Sequence, residues 1–180
     1  FDFHNMKRIA GIYSGDGGSN EIMILIEDIS RDTKEILNGR NFTRSEIMNI
    51  YQKIYNYCSI SEKSIPIQNS EKDFTCLGIC GSLLYENISA RFSEHFELIK
   101  QKIAESFSSF LEIYMLEWNK TLLSANTIDS VFSYMNRHWV KQQQTQTDKK
   151  IYKIYNLIII KWTRIIFYTF QNKLLDEIFW

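Results

Sequence analysis

The side chains best suited to do chemistry in this 180-residue chain are three histidines, three cysteines and a few adjacent carboxylates, and their spacing limits what they can do. His4, His95 and His138 lack the His-Glu-x-x-His spacing that sets two imidazoles on one helical face, and no Cys or acidic pair stands at ligand spacing beside them. Cys58, Cys76 and Cys80 form an odd set without a Cys-x-x-Cys pair, which argues against zinc and fits reduced thiols in the cytoplasm or nucleus. Asp176-Glu177 and Glu27-Asp28 are sequence neighbours, so on a helix they point to different sides and cannot share a substrate. The run Gly15 to Gly18 lacks the Lys-Ser/Thr that completes a phosphate loop, and no Gly-x-Ser-x-Gly elbow exists. These spacings predict no catalytic residue, no metal and no cofactor, and they point to binding instead of catalysis.

Composition narrows the partner. Lys+Arg and Asp+Glu balance at 21 each, so no global field draws the chain onto nucleic acid or an anionic membrane. The most apolar stretch, Leu157 to Phe170, carries Lys161 and Arg164, each costing about 2.5 to 3.5 kcal/mol at a bilayer centre, so a buried helix is expected there. Aromatic residues at 14% supply the large rings that fill cores or anchor interfaces.

The elements that would position such anchors are helices. One proline, Pro66, and seven glycines leave long stretches free of helix breakers. A flexible arm is expected over residues 1–20 and one helical domain over 21–180, with a polar loop near 59–76 around Pro66. In the first helix Ile22, Leu25, Ile26, Ile29, Thr33 and Ile36 form one apolar stripe that ends at Asn38-Gly39. The second, about Thr43 to Ser59, has two rows. Ile47, Ile50, Ile54 and Cys58 form one; Met48, Tyr51 and Tyr55 form a neighbouring one that must meet either another helix of this chain or a partner. Helix three is expected over about Leu83 to Ile103 and helix four over about Phe107 to Leu123. After a Ser124–Thr127 link, helix five follows over about Ile128 to Gln143, with Val131, Phe132, Met135 and Trp139 facing inward. Helix six follows from about Lys149, surrounded by other helices between Ile154 and Phe170. The chain ends without a stop signal, as a piece of something longer would.

Three blocks carry a family resemblance: Tyr134-Met135-Asn136-Arg137-His138-Trp139-Val140, then Ile151-Tyr152-Lys153-Ile154-Tyr155 with Trp162-Thr163-Arg164, and earlier Ile54-Tyr55-Asn56-Tyr57-Cys58. In this order they resemble the cullins, the elongated helical scaffolds of ubiquitin ligases, and most closely the branch that binds the F-box-type adaptor. The resemblance implies an all-α fold of about six helices, the first cullin repeat. It also implies a non-catalytic scaffold subunit whose second and fifth helices bind the substrate adaptor, with a BTB adaptor as the alternative. The family's adaptor-facing places fall at Ile47, Met48, Tyr51, Tyr55, Tyr134 and Arg137. Two positions depart from the pattern: Ile47 stands where a Tyr is usual, and Ile26 where the first helix usually carries Trp. A RING-box partner would bind a C-terminal part that lies beyond this sequence. A different reading, an unrelated helical-repeat tethering protein, matches the same helical pattern.

Overall fold

The computed structural model describes residues 18–63, 76–106, 109–146 and 150–179, and their regular structure is helical throughout. In chain order the elements are α1 (Gly18–Leu37), α2 (Arg44–Lys63), α3 (Cys76–Glu105) and α4 (Phe110–Val131). Then α5 covers 133–146, with a π turn at Asn136–Val140, and α6 covers 154–179, with a π turn at Thr163–Phe167.

The first turn is written in backbone bonds. Gly39 takes φ 79°, the N–H of Arg40 reaches Glu35 O at 3.1 Å and that of Gly39 reaches Ile36 O at 2.9 Å. This paired closure is open to glycine because an L side chain is strained at that φ. Four residues later Thr43 and Glu46 cap α2 reciprocally: Thr43 N–H donates to Glu46 Oε2 at 2.8 Å and Glu46 N–H donates to Thr43 Oγ1 at 3.3 Å.

One core joins all six helices. Ile26, Ile29 and Ile36 of α1, Ile50, Ile54 and Cys58 of α2, and Leu84, Ile88, Phe92, Phe96 and Ile99 of α3 are buried as their spacing predicts. Ile26, at the place of the family's Trp, is wholly buried. Trp162 of α6 gathers three rings, with centroids 5.6 Å from Phe96, 5.8 Å from Tyr114 and 5.2 Å from Trp118, and so ties α3 and α4 to α6.

Several boundaries fall elsewhere than expected. α1 begins at Gly18, inside the expected arm, and residues 1–17 lie outside the described residues. Of the expected polar loop near 59–76, Ser59–Lys63 belong to α2 and Cys76 opens α3, while 64–75 lie outside the described residues. Helix α3 starts at Cys76, ahead of Leu83, and runs through Gly81. A Cβ there would overlap the indole ring of Trp139. The Ser124–Thr127 link is helical and lies inside α4, because its short polar side chains turn back onto carbonyls. Ser124 Oγ donates to Ile36 O at 2.8 Å, Asn126 Nδ2 to Leu122 O at 3.0 Å and Thr127 Oγ1 to Leu123 O at 3.2 Å. The break comes at Phe132, with φ −88° and ψ 9°.

Helix α6 starts at Ile154, not Lys149, after an extended Lys153 with ψ 151°. It is enclosed through Ile154, Leu157, Ile158, Trp162 and Ile166, but Phe167 and Tyr168 are exposed, so other helices do not surround it all the way to Phe170. Lys161 lies half-buried on this helix and donates to Ser93 Oγ at 2.7 Å; burial, with Arg164 nearby, holds its ammonium below the usual lysine range. No described helix is long and apolar enough to cross a membrane.

Candidate docking face on α2 and α5

On α2 a residue's angular place decides whether it meets the core. Ile50, Ile54, Tyr57 and Cys58 point inward, while the row Met48, Tyr51 and Tyr55 sits on the flank of the helix that runs beside α5. Met48 is 58% exposed and Tyr55 38%, with Tyr51 half-buried between them. These side chains are therefore not consumed by their own fold. Ile47 behaves differently: it is half-buried against the core. It also lines a groove of about 380 Å³ with Phe42, Leu123 and Thr127.

Helix α5 supplies the other wall. Tyr134 is half-buried against the core, and its ring meets Tyr55 edge-on at 4.8 Å, the contact that joins the two helices into one surface. Arg137, one turn on, is exposed, and its Nε donates to Ser133 O at 3.2 Å. Met135, Asn136, Trp139 and Val140 of the same rod point inward, which fixes Tyr134 and Arg137 on the outer side. The structure thus brings Tyr55 and Tyr134 into contact, with Arg137 one turn further along α5 and Tyr51 and Met48 further back along α2, and leaves Ile47 at the edge.

His138 belongs to this surface too. It is exposed and stacks on Tyr134 with centroids 4.3 Å apart and planes 28° from parallel. Its place four residues after Tyr134 was the available signal, since i and i+4 side chains meet on a helix. The exposed Lys141 continues the same side.

The rest of the α2 side is polar, and Arg44 opens it one turn before Met48. Exposed Asn49, Gln52 and Asn56 flank the tyrosines, with Gln52 Nε2 donating to Asn56 Oδ1 at 2.8 Å. Lys53 on the inner flank is paired with Asp32 at 2.6 Å. Such a surface can bury rings and a thioether while keeping directional polar groups at its rim, the chemistry of a protein interface. Among the described residues no group of three or more His, Cys, Asp or Glu is arranged to hold a metal ion.

Comparison with known proteins gives the surface a context. Residues 26–179 match the cullin alpha solenoid domain. Cullin-1 of Caenorhabditis elegans is 25% identical over 151 residues, covering 76% of this chain and 19% of the relative. Cullin-1 of Schizosaccharomyces pombe is 30% identical over 138 residues, covering 76% and 18%. Cell division control protein 53 of Saccharomyces cerevisiae is 26% identical over 132 residues, covering 73% and 16%. The chain spans less than a fifth of the length of these curated relatives.

Proposed function

The chain belongs to the cullin family, and from that premise we propose that it forms the adaptor-binding end of a ubiquitin-ligase scaffold in the cytoplasm and nucleus. In this reading Met48, Tyr51 and Tyr55 of α2 and Tyr134 and Arg137 of α5 seat an F-box-type adaptor, with Ile47 at the margin. The adaptor carries a substrate receptor, and a RING-box protein binds the remainder of the scaffold. The chain contributes position: it holds the receptor at a fixed distance from the ubiquitin-transfer machinery and performs no bond chemistry itself.

The observation that carries the reading is the exposed Met48–Tyr55 row closed against Tyr134 at 4.8 Å. A contiguous row of large side chains left open on a well-packed bundle is what an interface requires and what a solitary monomer avoids. Ile47, where a tyrosine is usual, removes a hydroxyl from the edge of the face, so the adaptor is one matched to an aliphatic contact there. Co-purification of the chain with recombinant F-box-type and BTB-type adaptors tests the proposal. Retention of the F-box type alone is expected; retention of neither overturns it.

A further inference from the structure

Resting on that docking reading, we infer that the partner is acidic where it meets α5, and that a cationic ridge of Arg137 and Lys141 selects it. The whole chain has a formal net charge of zero. Its exposed α2 side presents the uncharged Met48, Asn49, Gln52, Tyr55 and Asn56, with Arg44 one turn before Met48. Near this face Lys53 is paired with Asp32, and Arg40 with Glu35 and Glu46. Among the described residues no carboxylate lies within ion-pair reach of Arg137 or Lys141.

The one acidic side chain of the adjoining α4 end, Asp129, is already committed, accepting from Asn136 Nδ2 at 2.8 Å and from Tyr155 N–H at 3.1 Å. Arg137 and Lys141 therefore present their charge to solvent on the exposed side of α5. A carboxylate placed there is drawn by Arg137 in a planar two-pronged contact and by Lys141 as a point charge. Rim charges of this kind act mainly on the encounter rate and on the choice of partner, while the buried rings set residence time. The packed rings of Tyr55, Tyr134 and His138 beside Arg137 favour a folded protein over nucleic acid or lipid, which need a broader basic field.

The experiment is stopped-flow association of the chain with a recombinant F-box-type adaptor, from low salt to about 0.15 M ionic strength, where the screening length is about 8 Å. The wild type is expected to associate more slowly as salt rises. Arg137→Glu combined with Lys141→Glu should lower the association rate about tenfold at low salt and flatten the salt dependence. Tyr55→Ala should instead raise the dissociation rate and keep the wild-type salt slope. A charge-reversed variant with the wild-type rate and slope, alongside a weakened Tyr55→Ala, overturns the ridge and leaves the docking face standing. A wild type that does not bind, or binds with both variants unchanged, overturns both. Equal retention of the chain on phosphatidylserine vesicles through Arg137 and Lys141 overturns the protein-partner assignment.

Discussion

The side-chain oxygen of Asn136 accepts the backbone N–H of Ile154 at 3.0 Å, across a gap of 18 residues. Asn136 sits at the start of the α5 π turn, and Ile154 is the first residue of α6. The Asn136 amide donates to Asp129, which also accepts the N–H of Tyr155, so two otherwise orphaned donors of α6 are satisfied from α4 and α5 together. Two blocks of the family resemblance are thus partners in one capping network. Tyr85 adds to it: its hydroxyl receives the N–H of Tyr152 at 3.0 Å and donates to the Tyr152 carbonyl at 3.1 Å, and burial raises its phenol above the usual range.

Asn136→Ala strips the cap from a buried N–H and leaves Asp129 without its side-chain donor. The expected cost is about 1 to 3 kcal/mol, the range for stranding a buried polar group. Asp129→Asn keeps an acceptor for Tyr155 and should cost less. Urea denaturation orders the variants, and an Asn136→Ala midpoint equal to wild type would contradict the network.

Gly81→Ala separates packing from propensity. In a helix interior alanine is favoured over glycine by about 1 kcal/mol, so an unobstructed site would gain stability. Here the new methyl overlaps the Trp139 ring, which is 1% exposed and has nowhere open to go. Overpacking of this kind costs about 1 to 3 kcal/mol, so a net loss is expected. A raised melting temperature in the variant would show that the ring yields freely. Shrinking the ring with Trp139→Leu should recover part of the loss in the double variant.

Acid should weaken the fold in two steps. Burial holds the His95 imidazole below its ordinary value of 6.5, Glu117 opposes this and Lys34 adds to it. The unfolded chain therefore takes up the His95 proton first, and stability falls as pH drops below 6.5 through the depressed folded value. Burial pushes the Glu117 carboxyl up, but the hydrogen bond and charge of Lys102 at 2.6 Å, with Lys120 at 3.4 Å, outweigh it and hold the group below 4.5. Its contribution is complete above 4.5 and is lost as pH falls through the lower folded value. His95→Gln should abolish the upper step and spare the lower one, as read from denaturant midpoints down to about pH 3.

How far this was legible varies with the kind of signal. Ile29, Ile54, Phe92 and Phe96 are buried where a 3.6-residue period puts them, and Gly39 closes α1 where the Asn-Gly pair said it would. Ser124 to Thr127 misled because polar side chains suggest a loop, whereas in space each can satisfy itself on a carbonyl of its own or a neighbouring helix. The packing of Gly81 was not legible at all, because its neighbour Trp139 lies 58 positions away, beyond any local pattern. On the docking side the row Met48, Tyr51 and Tyr55 was readable as surplus, yet the stacking of His138 on Tyr134 needed the actual side-chain directions.

The docking face itself is tested where fold and binding part company. Met48 is 58% exposed, so Met48→Asp removes no core contact, and its effect on stability should stay within about 0.5 kcal/mol. At an interface the same change puts a carboxylate into an apolar seat beside Tyr51 and Tyr55. Interface anchors of this size cost about 2 kcal/mol or more on truncation, roughly a thirtyfold loss of affinity. Tyr51→Ala is the companion variant, because Tyr51 lies half-buried between the two exposed members of the row. Calorimetry against an F-box-type adaptor, with helicity followed by circular dichroism, reads both quantities. Wild-type affinity in both variants, with the wild type itself binding, would move the docking face away from this side of α2.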